Sequence, residues 1–160
     1  MDSMVELYLD RAENELLAAR ALQRLSEDAK LKTDAEIPAA TTFYSGTISH
    51  AYYAIFYAAK ALLLTEGVKT SSPDIHKRTY EAFERTFVTT GVLDVKLLQT
   101  YQTLAIRAEE LLGIFKMEKW KRGNFTYTTI PQANKEPATD SVKRATLFVA
   151  HLGKVAKTKR

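Results

Sequence analysis

The sequence contains no cysteine, and it holds only 6 glycines, 4 prolines and 1 tryptophan among its 160 residues. The absence of thiols excludes disulfides, cysteine nucleophiles and zinc sites built on sulfur, and it agrees with a reducing cytoplasm. A long uncharged apolar run is also missing, and acidic residues occupy the N-terminal stretch where a signal peptide would be basic and then apolar. We therefore expect a cytoplasmic protein with no membrane partner.

The charge of the chain is regional. The net charge of the whole chain is +4. Residues 116–122 carry four bases and one acid, and residues 154–160 carry four bases and no acid. These two regions are more positive than the whole chain, so the remainder is net negative. A basic region attracts phosphates. A solvated helix end and a frayed basic tail are, however, the commoner reason for such runs.

The most apolar stretch runs from Pro38 to Gly67 and predicts the central helix of the fold. Small residues line a second face of this stretch and would let another helix approach closely. Its large residues recur at spacings of three and four, which is helical rather than strand-like: Tyr44, Ile48, Tyr52, Ile55, Ala59 and Leu62.

Four more helices are predicted around this one, and no segment has the pattern of a strand. We therefore predict an all-α fold, an up-and-down antiparallel bundle of about five helices. One domain would cover residues 1–153, followed by a basic, frayed tail over 154–160. The four helices would run from Met4 to about Lys30, from the Ser72 cap and Pro73 to Gly91, from about Asp94 to Arg122, and onward from the Asn134 cap. A short connector would cover residues 31–37, and the helix that Pro73 opens would carry His76, Tyr80, Phe83 and Phe87 on one face.

Metal and cofactor chemistry is not indicated by the sequence. His50, His76 and His151 lie on three different predicted helices, with no second ligand one turn away. No glycine-rich phosphate loop is present either. We therefore expect no metal and no cofactor.

One candidate binding site is a pocket formed by Tyr52, Tyr53 and His76. The phenols could line a nucleotide pocket or stack on a base. His76 stands at a predicted helix start, where the helix dipole favours the neutral imidazole. For all three residues, packing in the core explains the helical spacing better than a functional role does.

The stretch from Lys119 to Tyr127 is the strongest candidate for a binding site. It joins basic side chains at a predicted helix end to an amide, a hydroxyl and a phenol in a loop, where binding residues are often found. Alternatively, its aromatic residues close the base of the bundle while the bases satisfy helix carbonyls. The residues alone support both interpretations equally. The candidate phosphate or RNA ligands are Lys119, Lys121, Asn124 and Thr126, beside Arg122 and Tyr127.

Two segments of the chain carry a pattern that is more specific than helical spacing. The first segment is SHAYYAIFYAAKALLL over residues 49–64, followed by Gly67 and His76, and the second is RGNFTY over residues 122–127, followed by Ala138, Ala145 and Phe148. Together they resemble the HEPN domain family of small helical bundles. The resemblance covers roughly residues 5–152 and implies a homodimer of antiparallel bundles.

The resemblance also implies an activity. Many family members are metal-independent ribonucleases, often toxins encoded beside a minimal nucleotidyltransferase antitoxin. Their motif is an Arg followed after four to six residues by a His at the dimer cleft. Arg122 matches the Arg, whereas Tyr127 stands at the His position and Gly123 where a small polar residue often follows. The implied catalytic residues are therefore Arg122 and Tyr127.

The substitution of Tyr for His leaves two classes of function open. A phenol, with a usual pKa of about 10, is a poor base at pH 7, whereas an imidazole accepts a proton near neutrality. One expectation is a weak or restricted metal-independent ribonuclease in which Arg122 binds the phosphate. The other is a non-catalytic module that binds RNA, a nucleotide or a partner nucleotidyltransferase. A purely structural bundle is the third.

Overall fold

The computed structural model describes residues 2–113 and 134–159. Within these ranges the chain forms helices and turns and contains no strand, which confirms the predicted all-α bundle. The helices are α1 Ser3–Glu27, α2 Ala29–Asp34, α3 Tyr44–Thr65, α4 Ile75–Phe83 with a π-helical continuation Glu84–Val88, α5 Val95–Leu112 and α6 Lys135–Thr158. None of these helices is both long and apolar enough to span a membrane.

Helix α3 is the centre of the bundle, as its composition predicts. It packs against α1, α4, α5 and α6. Tyr52, Ile55 and Leu62 are completely buried on it, and so are small residues such as Ala54 and Ala58. Because the small side chains let backbones come close, α3 can bury both of its apolar faces at once.

The first predicted helix is interrupted, so the prediction of one helix from Met4 to about Lys30 is wrong. The backbone leaves the helical conformation at Asp28 (φ −96°, ψ 111°), whose carboxylate accepts the N–H of Leu31 at 3.0 Å. Asp28 therefore ends α1 and caps α2. The predicted connector over residues 31–37 is in large part this short helix.

The central helix begins at Tyr44 and not at Pro38. The hydroxyl of Ser26 accepts the N–H of Phe43 at 2.7 Å, and the ammonium of Lys32 donates to the carbonyl of Ala39 at 2.7 Å. These two bonds tie the segment before α3 to α1 and α2, so its backbone groups are satisfied without a helix.

The start of α4 differs by two residues from the prediction. Asp74 adopts a left-handed conformation (φ 57°), so the helix begins at Ile75 and not at Pro73. The predicted buried face is confirmed, because Tyr80, Phe83 and Phe87 are buried and His76 is half-buried.

Helix α5 ends at Leu112, which corrects the predicted end at Arg122. Gly113 adopts φ 62°, and its N–H donates to the carbonyl of Glu109 at 2.9 Å. This is the left-handed geometry for which glycine is favoured at a helix C-terminus. Arg122 itself lies outside the described residues.

The last helix continues through Thr158, beyond Lys154, where the sequence predicts fraying. Ala156 is buried, and the ammonium of Lys159 pairs with Glu66 and lies 5.4 Å from the ring centre of Phe87. Contacts with the end of α3 and with the π-helical turn thus order this part of the basic tail.

Candidate functional site

His76 is the second residue of α4, and its imidazole turns toward α3. Its Nδ1 atom lies 2.7 Å from the hydroxyl of Tyr52, which is completely buried on α3. Burial raises the pKa of Tyr52 well above its usual value of about 10, so the phenol stays protonated. The imidazole is therefore held in one orientation by a neutral hydroxyl.

Aromatic rings enclose the other sides of His76. Its ring centre lies 4.5 Å from that of Phe56, 5.6 Å from that of Tyr52 and 5.9 Å from that of Tyr53. The three residues of the predicted pocket thus come together, although Tyr52 and His76 are 24 positions apart. We call Tyr52, Tyr53, Phe56 and His76 the imidazole cluster. Its role as a binding site stays a prediction.

The imidazole of His76 is neutral at pH 7. Burial lowers the pKa of His76, and the positive charge of Lys60 on α3 lowers it further. Both effects penalise the protonated form. The sequence predicted a neutral imidazole from the helix dipole, whereas the structure gives burial and Lys60 as the causes.

The electrostatic environment of the imidazole cluster includes a charge on α5. The charge of Glu109 contributes to the raised pKa of Tyr52, and Glu109 is one turn from Gly113, where α5 ends. From there the chain enters residues 114–133. This segment carries the predicted site residues Arg122 and Tyr127.

Six predicted site residues fall outside the part of the chain that the structure describes, so their roles remain predictions. They are Lys119, Lys121, Arg122, Asn124, Thr126 and Tyr127.

The remaining histidines lie on α3 and α6, away from His76 in the sequence. Nδ1 of His50 lies 2.5 Å from a carboxylate oxygen of Glu15, which joins α3 to α1, and His151 is exposed on α6. Among residues 2–113 and 134–159, no group of three or more His, Cys, Asp or Glu side chains could hold a metal ion.

Sequence reasoning missed the position of Lys60. Its ammonium lies 5.2 Å from the ring centre of Tyr8 and 5.7 Å from that of Phe56. Phe56 and Lys60 are four residues apart on α3, so the one-turn spacing was visible in the sequence. The contact with Tyr8 on α1 depends on how the two helices pack.

Comparison with known proteins gives one family and two relatives. The sequence profile of the HEPN domain family matches residues 5–154. A protein of Methanocaldococcus jannaschii named "Putative toxin MJ0142" is 36% identical over 86 residues, which make up 53% of this chain and 56% of that protein. A second, "Putative toxin MJ0605", is 31% identical over 114 residues, or 71% of this chain and 72% of that protein.

The match to the first relative spans little more than half of that protein's length. No solved structure matches the chain.

Proposed function

The chain belongs to the HEPN domain family, and from this premise we propose that it is a toxin-type HEPN protein that acts on RNA without a metal ion. The names of the two relatives support the toxin role. The family match includes both Arg122 and Tyr127, which supports a site at the RGNFTY segment.

In the proposed site, Arg122 binds the scissile phosphate. A guanidinium offers a planar fork of donors that suits two phosphate oxygens, and such donors stabilise charge that develops in the transition state. Lys119, Lys121, Asn124 and Thr126 hold the RNA backbone on either side. Tyr127 positions or protonates a ribose oxygen.

The observation that carries a catalytic role is the half-buried imidazole of His76, which is neutral at pH 7 and oriented by Tyr52. In this proposal His76 is the general base of the reaction, because the phenol of Tyr127 is a poor base at pH 7. In this role Nδ1–H donates to the hydroxyl of Tyr52, and Nε2 takes the proton of a ribose 2′-hydroxyl. The 2′-oxygen attacks phosphorus, the bond from phosphorus to the 5′-oxygen breaks, and that oxygen takes the proton of the Tyr127 hydroxyl as it leaves. Proton exchange with water then returns both His76 and Tyr127 to their neutral forms. The products are a 2′,3′-cyclic phosphate and a 5′-hydroxyl.

A second candidate function follows from the same hydrogen bond in the opposite direction. A phenol is a stronger acid than a neutral imidazole, so Tyr52 can donate to Nδ1 and place the imidazole proton on Nε2. His76 would then be a neutral donor to a phosphate oxygen and not a base. The protein would bind RNA, a nucleotide or a partner nucleotidyltransferase without cutting.

We further propose that the protein works in the cytoplasm as a homodimer, in which two copies of Arg122 share one cleft. A minimal nucleotidyltransferase would be its antitoxin partner. The family resemblance and the toxin-named relatives support this assembly.

The test is an RNA assay in the presence of EDTA. Wild-type protein is incubated with end-labelled RNA, and binding, cleavage and the chemical ends of any fragments are measured. Arg122→Ala is compared with Arg85→Ala, which removes an exposed arginine on the π-helical turn. The ribonuclease is supported if the wild type produces fragments with cyclic phosphate ends, Arg122→Ala abolishes this cleavage and Arg85→Ala does not. Binding without cleavage supports the second candidate. Neither binding nor cleavage, or activity that requires a divalent ion, overturns the proposal.

A further inference from the structure

Lys60 is a half-buried cation without a carboxylate partner among residues 2–113 and 134–159. Its ammonium donates to the carbonyl of Thr70 at 3.2 Å and otherwise faces the rings of Tyr8 and Phe56. Ring faces and one long hydrogen bond compensate a partly desolvated charge less well than an anion would. The position therefore favours a negatively charged group.

A pocket of about 280 Å³ opens beside this ammonium. It lies between the start of α1, the end of α3 and the loop that follows α3. That volume is close to the lower end of the range of about 300–1,000 Å³ for small-molecule sites. We call it the Lys60 pocket. Its lining combines the apolar or aromatic side chains of Tyr8, Leu64 and Val68 with the polar residues Lys60, Lys69 and Ser71.

The charge of the Lys60 pocket is positive on balance. Asp2 is its single acidic lining residue, against Lys60 and Lys69. The carboxylate of Asp2 already accepts the N–H of Met4 at 2.9 Å, as the N-cap of α1. Asp2 therefore has a structural role of its own, and no ion pair joins it to Lys60 among the described residues.

We propose that the Lys60 pocket binds a small organic anion, whose phosphate or carboxylate group pairs with Lys60 and Lys69 and whose apolar body packs against Tyr8, Leu64 and Val68. This site goes beyond the proposed function, because it uses neither Arg122 nor RNA. It adjoins the imidazole cluster, since Phe56 lies between Lys60 and His76.

The test uses phenyl phosphate and phenylacetate as probes, which separate a phosphate ester from a carboxylate. Each is titrated into the intact protein while the amide NMR signals of residues 68–71 are followed. Inorganic phosphate and benzyl alcohol supply the anion and the apolar body alone. We expect saturable shifts for at least one probe, with a dissociation constant on the order of 1 mM, and at least about tenfold weaker binding of either part alone.

Two variants and one matched control complete the test. Lys60→Met should weaken binding of the probe at least about tenfold, whereas Lys143→Met, which removes an exposed lysine on α6, should leave it unchanged. Should Lys60→Met fail to fold, Lys69→Met on the exposed loop replaces it, with an expected several-fold loss. The proposal is overturned by the absence of saturable shifts up to about 10 mM, by equal binding of inorganic phosphate, or by variants that bind like wild type.

Discussion

Arg107 on α5 and Asp140 on α6 form an ion pair across the bundle, with Nη1 and Oδ2 at 2.8 Å. The same nitrogen lies 2.9 Å from the hydroxyl of Ser141, and Nε of Arg144 lies 2.8 Å from the same carboxylate oxygen. These contacts join α5 to α6, the helices that precede and follow residues 114–133. They fix the separation of the two helices that flank the proposed site.

This ion pair predicts a pH-dependent loss of stability in Asp140→Asn. Burial alone would raise the pKa of Asp140, but the hydrogen bonds and charges of Arg107 and Arg144 outweigh burial and lower it. A lowered folded-state pKa stabilises the protein above the unfolded value of about 3.9, and this stability is lost as the pH falls through the folded value. Because the side chain is about a third exposed, we expect a loss of only about 1 kcal/mol at pH 7.

Urea denaturation of wild type and Asp140→Asn at pH 7 and at decreasing pH below 4 checks this expectation. The difference in the free energy of unfolding should shrink toward the acid end. Asp34→Asn serves as control, because Asp34 forms an exposed one-turn pair with Lys30 and should change little. A difference that stays the same at all pH values would show that the ion pair is not the cause.

Replacement of tyrosine by phenylalanine should change the free energy of unfolding in opposite directions at two buried positions, Tyr101 and Tyr52. The hydroxyl of Tyr101 is buried and has no hydrogen-bond partner in the described part of the chain, whereas that of Tyr52 is bonded to His76. Tyr101→Phe should therefore raise the free energy of unfolding by about 1 kcal/mol, and Tyr52→Phe should lower it by about 1 kcal/mol. Thermal and urea unfolding of both variants tests the pair. A clear loss of stability in Tyr101→Phe would mean that its hydroxyl is bonded after all.

Periodicity predicted the bundle but not the ends of its helices. The recurrence of apolar residues identified α3 as the centre and placed Tyr80, Phe83 and Phe87 on one buried face. The ends are set by local geometry that periodicity does not report: the carboxylate cap at Asp28 and the left-handed Gly113.

The candidate site, like the fold, was predicted from the sequence only in part. The sequence predicted a pocket that contains Tyr52 and His76, but the hydrogen bond between them joins two helices, so it depends on tertiary packing that a local pattern does not report. Burial then gives His76 its neutral state, which the sequence predicted for a different reason. The roles of Arg122 and Tyr127 rest on family membership and on the chemistry of their side chains, and they stay predictions.

If His76 is the base, cleavage should decline on the acid side of neutrality. A base acts only when deprotonated, and burial and the charge of Lys60 lower the pKa of His76 below its usual value of about 6.5. Among the described residues, the titratable side chains of Tyr52 and Tyr53 contact the ring, and both stay neutral because burial raises their pKa values. The rate should be constant near pH 7 and fall as the pH drops through the pKa of His76.

The pH profile of kcat/KM for RNA cleavage measures this dependence. His76→Gln should remove the acid limb and lower kcat by about 10²–10⁴-fold. Lys60→Met should move the acid limb to higher pH, because it removes the charge that lowers the pKa. A His76→Gln protein with the wild-type rate and profile would exclude His76 as the base.

The proposed homodimer predicts a mass in solution of twice the 18.0 kDa of one chain. A cleft between two copies would present two Arg122 side chains to one phosphate, and a symmetric dimer is the commonest assembly that can do this. Light scattering at micromolar concentrations gives the mass directly. A single-chain mass over the whole concentration range would exclude a composite site.

Arg122 should matter for function and not for stability. The proposed role requires a guanidinium that RNA can reach, and loss of an accessible charge typically costs under about 1 kcal/mol, so Arg122→Ala should unfold at nearly the same urea concentration as wild type. The same variant should lose RNA binding, RNA cleavage or growth inhibition, whichever the wild type shows, because the planar fork of donors to phosphate has no substitute in alanine. Arg85→Ala should keep both stability and activity.

The Tyr127→Phe variant tests the role of the Tyr127 hydroxyl apart from that of its aromatic ring. The substitution keeps the packing surface of the side chain, so unfolding should change little. It removes the oxygen that could position a ribose or accept a nucleotidyl group from a partner nucleotidyltransferase. Incubation with such a partner and a nucleotide, followed by mass spectrometry, should show the modification in wild type and not in Tyr127→Phe.

Unfolding of Arg122→Ala, or unchanged RNA-directed activity in both variants, would show that the RGNFTY segment is structural and that the proposed site is wrong.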